Sequence, residues 1–243
     1  MSDPLVIAVD WSGANAAAAQ RRAIWTTTIR DGRVVESVGG RTRADVVDAL
    51  VQRDEPMIVG LDFSFSVPHW FACAHACHDV DAVWKLAQVR GDDWLRPTPP
   101  FWRERCAVPL GQRFRRCETR LRGEGFQPKS LFQLVGNGQV GAGSVRGMPL
   151  LATLRGAGFA VWPFDAAAER TVMEMYPSLL RARAPHLDTG SHPNEHARDA
   201  TVAALVMWEH RDALARLDAT KDPVVALEGD VWDPAATRPR SRA

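Results

Sequence analysis

The chain has 243 residues, 46% of them hydrophobic and 24% charged, and its 30 Lys and Arg nearly balance 29 Asp and Glu to a net charge of +1. That composition excludes general disorder and suits one large domain over residues 1–243. Four cysteines make no disulfide framework, the start Met-Ser-Asp-Pro lacks a basic leader, and no apolar run reaches the roughly 18 residues of a membrane span, so a cytoplasmic protein with no membrane partner is expected.

The apolar run from Leu5 ends in Asp10-Trp-Ser-Gly13, a buried-type strand delivering one carboxylate. Residues 23–29 are rich in β-branched side chains, Asp31-Gly32 is a hairpin turn signal, and residues 33–38 resume a strand, giving an antiparallel hairpin beside the first strand. Val46, Val47, Leu50 and Val51 fall at helical spacing within residues 43–52, a crossover helix. Residues 57–63 then return as a strand that again ends in Asp62, an aromatic residue and Ser64, parallel to the first under the right-handed crossover rule.

Residues 68–89 read as helical, and residues 90–145 as an insertion in which Arg96-Pro-Thr-Pro-Pro100 interrupts regular structure and residues 111–121 form a basic helical piece. A helix over about 147–155 is closed by Gly156 and Gly158. Residues 159–162 form a short strand, and residues 170–176 another that stops at Pro177. Pro193 opens a long final helix running to Leu217, and the arginine- and proline-rich tail 234–243 reads as disordered.

Strand alternation puts Val6, Ala8 and Asp10 on one face, and Ile58, Gly60 and Asp62 on another strand's corresponding face. Small residues beneath both aspartates leave room at the carboxyl end of the sheet, where α/β folds collect ligands. Two close carboxylates repel, and a cation between them is the natural remedy; alternatively each Asp caps the turn that follows it. Glu174, among Val172, Met173 and Tyr176, is costly to bury unless paired or metal-bound, unless it lies at an exposed edge. On the last helix His196 and Asp199 share the stripe of Val202, Ala203 and Val206 that must pack on the sheet.

The segment 90–129 carries ten basic residues, among them Arg105, against five acidic ones, interleaved with Trp94, Phe101, Trp102, Phe114 and Phe126. Such mixing suits a nucleic-acid surface, because cations meet phosphates while rings stack on bases, and Arg113, Arg115, Arg116 and Lys129 are its candidate contacts; a solvated, salt-bridged insertion has the same composition. Gly136-x-Gly138-x-x-Gly141 formally matches a dinucleotide fingerprint but follows no βαβ start, so it reads as a linker. Cys73 and Cys77, beside His69, His75 and His78, lack a second ligand pair and read as small buried cysteines rather than a zinc site.

The acids arrive as strand Asp, strand Asp, strand Glu and helix His-x-x-Asp. That order resembles the ribonuclease H-like superfamily, and within it the predicted nucleases of domain-of-unknown-function family 429. The matching pieces are Val-Asp10-Trp-Ser-Gly, Gly-Leu-Asp62-Phe-Ser-Phe-Ser, Pro128-Lys-Ser-Leu-Phe-Gln-Leu-Val-Gly136, Glu174-Met-Tyr-Pro177 and His196-Ala-Arg-Asp199-Ala. The resemblance implies an α/β ribonuclease H-like mixed sheet, an antiparallel hairpin plus parallel strands flanked by helices, with a helical and loop insertion. It also implies a nuclease, a hydrolase of phosphodiesters in nucleic acid (DNA or RNA), in which Asp10, Asp62, Glu174 and Asp199 bind magnesium or manganese (Mg2+ or Mn2+) and His196 assists proton transfer. The glutamate that the superfamily's ribonucleases carry on their first helix has no match, since that helix offers only Asp45 and Asp48. Two alternatives remain open: an actin-like or sugar-kinase-like ATP phosphotransferase, which shares the strand-Asp-Ser-Gly opening, and a non-catalytic nucleic-acid-binding module.

Overall fold

A computed structural model of the chain describes residues 3–104, 106, 108–135 and 140–237. Its sheet is built from β1 (Leu5–Asp10), β2 (Trp25–Arg30), β3 (Arg33–Val38), β4 (Met57–Leu61), β5 (Ala160–Trp162) and β6 (Arg170–Glu174), in the order β3-β2-β1-β4-β6-β5. β1, β2 and β3 pair antiparallel, whereas β1 with β4, β4 with β6, and β6 with β5 pair parallel. The protein is therefore an α/β fold with a six-stranded mixed sheet flanked by helices, as expected. Asp31 and Gly32 close the β2–β3 hairpin with φ of 50° and 74°, the left-handed pair that a two-residue turn needs to match strand twist.

The helices are α1 (Ala17–Ala23), α2 (Arg43–Val51), α3 (His69–Ala74), α4 (Val80–Trp94), α5 (Arg116–Gly123), α6 (Val140–Gly156), α7 (Pro177–Arg183), α8 (Glu195–Glu209), and three single turns, α9 (Arg211–Leu214), α10 (Val225–Glu228) and α11 (Pro234–Thr237). Strand alternation divides the core in two. Leu5, Ile7 and Val9 join Met57, Val59, Leu61 and Val172 under α2, α4 and α6, while Val6, Ala8, Ile58, Met173 and Met175 lie under α8. Gly60 leaves no room for a ligand: a Cβ there would stand 2.6 Å from Met207 Sδ, so the missing side chain admits two methionines instead.

Several expected boundaries change for local reasons. The helix expected over 68–89 is two, separated where Ala76 adopts φ 56° and Asp79 caps α4 by accepting from the Ala82 N–H at 2.8 Å. The strand expected over 23–29 begins only at Trp25, because Ala23 is the last residue of α1. α6 starts at Val140, so Gly141 belongs to a helix; Gly136 and Gly138 lie outside the described residues, as does Arg105. β6 ends at Glu174, and Pro177 is not a strand stop but the first residue of α7, where its missing N–H is harmless. The last helix is capped by Asn194 rather than opened by Pro193, and breaks at His210. Pro234–Thr237, expected to be disordered, forms a helical turn behind Trp232, which is fully buried.

Two of the five aromatic residues of the basic segment do not face solvent as stacking platforms, whereas Trp102, Phe114 and Phe126 are partly exposed. Trp94 and Phe101 are buried, stack at 5.4 Å, and meet Phe71 and Phe132 edge-on. Each such pair adds about 0.5–1.5 kcal/mol beyond its buried area, so this cluster ties the loop after α4 to the core. Cys77 is buried as expected, but Cys73 is exposed beside His69.

Candidate active site

Parallel register fixes the two aspartates. Ala8 pairs with Gly60 and Val9 with Leu61, and the Asp62 N–H continues the ladder to the Val9 carbonyl at 3.2 Å, so Asp10, the last residue of β1, and Asp62, just past β4, lie side by side. Both belong to the sheet face that α8 covers. Neither carboxylate caps the turn after it: Ala14 N–H is satisfied by Ser12 Oγ at 3.2 Å. Asp10 Oδ2 instead meets Nδ1 of His196, in the first turn of α8, at 2.6 Å. Burial raises the Asp10 pKa against the lowering effect of His196, and the same hydrogen bond raises that of His196. The Asp62 carboxyl makes no hydrogen bond or ion pair among the described residues. Burial, then the negative charges of Asp10 and Glu174, push its pKa well above the usual carboxylate range.

Glu174 and Asp199 differ. Glu174 is in register with Leu61, and so projects from the opposite face of the sheet to Asp62. It is buried, not at an exposed edge, and Arg115 grips it with both Nη atoms, Nη1 reaching Oε2 at 2.8 Å, while the Phe65 N–H donates to the same oxygen at 2.9 Å. Asp199 pairs with Arg181 of α7. All five predicted residues, Asp10, Asp62, Glu174, His196 and Asp199, line one cleft of about 610 Å³, together with Ser12, Tyr176 and the exposed Lys129. That volume falls in the range of small-molecule and nucleotide sites. The expected four-carboxylate cage is not assembled, however: two of its acids already hold guanidinium partners. Among the described residues no group of three or more His, Cys, Asp or Glu is arranged to hold a metal ion.

The expected nucleic-acid contacts also need correcting. Arg115 is fully buried, its Nε bound to Glu118 at 3.0 Å and Nη1 to the Glu228 carbonyl at 3.1 Å. Arg116 pairs with Asp222 at 2.6 Å, and Arg113 donates to the Val108 carbonyl at 2.7 Å. Of the four, Lys129 alone reaches the cleft as an exposed cation. Sequence reasoning gave no role to Tyr176, which lines the cleft, or to Arg181, the partner of Asp199, and put Arg115 on a surface when it is the buried partner of Glu174. Tyr-Pro at a strand end signalled a helix start, and with it a basic last turn carrying Arg181.

No protein-family model, curated protein or solved structure matches this chain. Among the described residues no helix is long and apolar enough to cross a membrane.

Proposed function

We propose that the cleft is the active site of a divalent-cation-dependent phosphodiester hydrolase acting on nucleic acid, with Asp10 and Asp62 as the residues that hold the ion. The observation that carries this is Asp62: a carboxyl raised in pKa, beside a second carboxyl, with no hydrogen-bond partner among the described residues. Such a group either keeps a proton or takes a cation, and the oxygen-only donor pair suits Mg2+ or Mn2+. A bound ion supplies a Lewis acid and a water of lowered pKa. Asp10 orients His196 through Nδ1, directing Nε2 to carry a proton to or from the reacting phosphate. Asp199 joins the ligands only if Arg181 releases it, and Glu174 serves as an anchor for Arg115 rather than as a ligand.

Calorimetric titration with manganese tests the reading. Binding is expected in the natural chain and lost in Asp62→Asn; binding by Asp62→Asn and Asp10→Asn as tight as that of the natural chain would overturn it. Cleavage of a panel of DNA, RNA and branched substrates with either ion separates a nuclease from a phosphotransferase, which requires ATP, and from a binding module, which cleaves nothing.

The Asp10–His196 pair supports a second, metal-independent reading of the same cleft, in which His196 acts as a general base on water oriented by Asp10 alone. Activity that survives a chelator but not His196→Gln would favour it.

A further inference from the structure

The basic residues of residues 90–129 were expected to meet phosphate, yet several are already neutralised. Arg115 is held by Glu174 and Glu118, Arg116 by Asp222, and Arg120 by Asp230 at 3.1 Å. A phosphate would have to displace a carboxylate at each, which removes most of the gain from the contact.

A different set of guanidiniums has no such partner. The four residues Ser12–Asn15, immediately beyond Asp10 and Trp11, are clasped from two sides. Arg43 of α2 donates Nη1 to the Ser12 and Ala14 carbonyls, both at 2.8 Å. Arg146 of α6 donates Nη1 to the Gly13 carbonyl and Nη2 to Asn15 Oδ1 at 3.4 Å. Gly143, one turn before Arg146, packs directly on this loop, where a Cβ would meet the Gly13 nitrogen at an ordinary contact distance of 3.5 Å. Among the described residues neither Arg43 nor Arg146 forms an ion pair. Asp92 is close enough to be felt by Arg146 but makes no bridge to it, and the exposed Arg103 adds a third positive charge. Burial, then the charge of Arg146, lowers the pKa of Arg43 to about 10, and burial with the charge of Arg103 lowers that of Arg146 against the raising effect of Asp92. Each keeps guanidinium donors unused by the loop, and Ser12 itself lines the cleft.

We infer that Arg43 and Arg146, with Arg103 beside them, form a phosphate-binding site that holds the backbone of a nucleic-acid strand next to the Asp10–Asp62 cleft. Paired, uncompensated guanidiniums are suited to a phosphodiester because their forked donors match its oxygens and its charge relieves their repulsion. The site rests on the phosphodiesterase reading for its substrate class, but not on any bound metal.

Binding of a labelled single-stranded oligonucleotide, measured by fluorescence anisotropy over a salt series with chelator present, tests it. The natural chain is expected to bind with a salt-dependent affinity, and Arg146→Gln to weaken binding of all sequences alike and reduce the slope of log affinity against log salt by about one. Arg146→Lys should keep that slope. Because Arg146→Gln also loosens the loop, Arg103→Gln, which leaves the clasp intact, provides the second variant and should again lower the slope. Unchanged slopes in both glutamine variants would overturn the inference, as would binding of inorganic phosphate without any binding of oligonucleotide. The measurement excludes divalent ions, so its failure leaves the manganese result at Asp62 standing, and failure of that result leaves the slope.

Discussion

Asp62 and Glu174 end neighbouring parallel strands, yet they leave the sheet on opposite faces, because Glu174 is in register with Leu61 and not with Asp62. One step of strand alternation thereby separates two carboxylates that sequence order alone would put in one cage. Asp62 shares its face with Asp10 and α8; Glu174 shares its own with Phe65 and Arg115. Among the described residues Asp62 has no bonded counter-charge, whereas Glu174 has Arg115.

Removing the Arg115 side chain leaves Glu174 and Glu118 buried without their cation. Breaking a buried pair from one side costs about 3–5 kcal/mol, so Arg115→Ala should lose stability of that order in a denaturant titration. Arg116→Ala, which touches only the exposed Asp222 bridge, should leave the midpoint essentially where it was. Equal midpoints for both variants would show that the Arg115 network is not what ties α5 to the sheet.

Asp62 gives a pH dependence of definite sign. Its folded pKa is raised above the unfolded value of about 3.8, so the folded chain holds a proton that the unfolded chain releases. Stability from this group is complete below the unfolded pKa and falls as pH rises toward the folded one. In chelator, Asp62→Asn should therefore melt higher than the natural chain near neutral pH, and the gap should close in acid. Manganese should raise the melting temperature of the natural chain alone. A variant that melts lower at neutral pH, with no metal effect, would mean that Asp62 has a partner.

How much of this was legible in the sequence depends on the interaction concerned. Strand period and the Asp31-Gly32 turn are local, so the hairpin, the parallel return at β4 and the adjacency of Asp10 and Asp62 could all be read from residue types. Val172 and Glu174 do share one face of β6, with Tyr176 beyond the strand's end, but which face of the sheet that is depends on register against β4, which no local pattern encodes. The partners of Glu174 and Asp199 are likewise distant in sequence: Arg115 lies 59 residues from Glu174. A cluster of arginines reads as a surface patch until the fold reveals which of them is buried. Tyr176-Pro177 was legible and misjudged, since proline that cannot continue a strand can begin a helix.

His196 should titrate above its ordinary value of 6.5, because protonation strengthens the bond to Asp10. A raised folded pKa means that this bond's stabilisation is present below 6.5 and is lost as pH rises through the folded value. Proton NMR of the imidazole should show the elevated midpoint in the natural chain and a return toward the ordinary value in Asp10→Asn. If manganese enters between Asp10 and Asp62, it competes for the same carboxylate and should lower the His196 midpoint as well. An imidazole indifferent to both changes would remove it from the proposed proton path.

Gly147 supplies a test that alters no charged group. Its α-carbon passes over the ring of Phe63, the residue after Asp62, and a Cβ there would fall 2.5 Å from the Phe63 ring edge. That ring is packed against Trp11 and Phe65 at centroid distances of 4.9 and 5.1 Å, so it cannot swing aside freely. Gly147→Ala gains helix propensity but overpacks the core, and overpacking of this kind costs about 1–3 kcal/mol. Because Phe63 and Trp11 each adjoin one of the two aspartates, displacing the ring also shifts Asp62 against Asp10. The variant should fold, melt lower, and bind manganese less tightly, whereas Gly156→Ala, on the same helix with open space around it, should leave the metal affinity unchanged. Loss of stability with undiminished metal affinity would separate the aspartate pair from the packing beneath it.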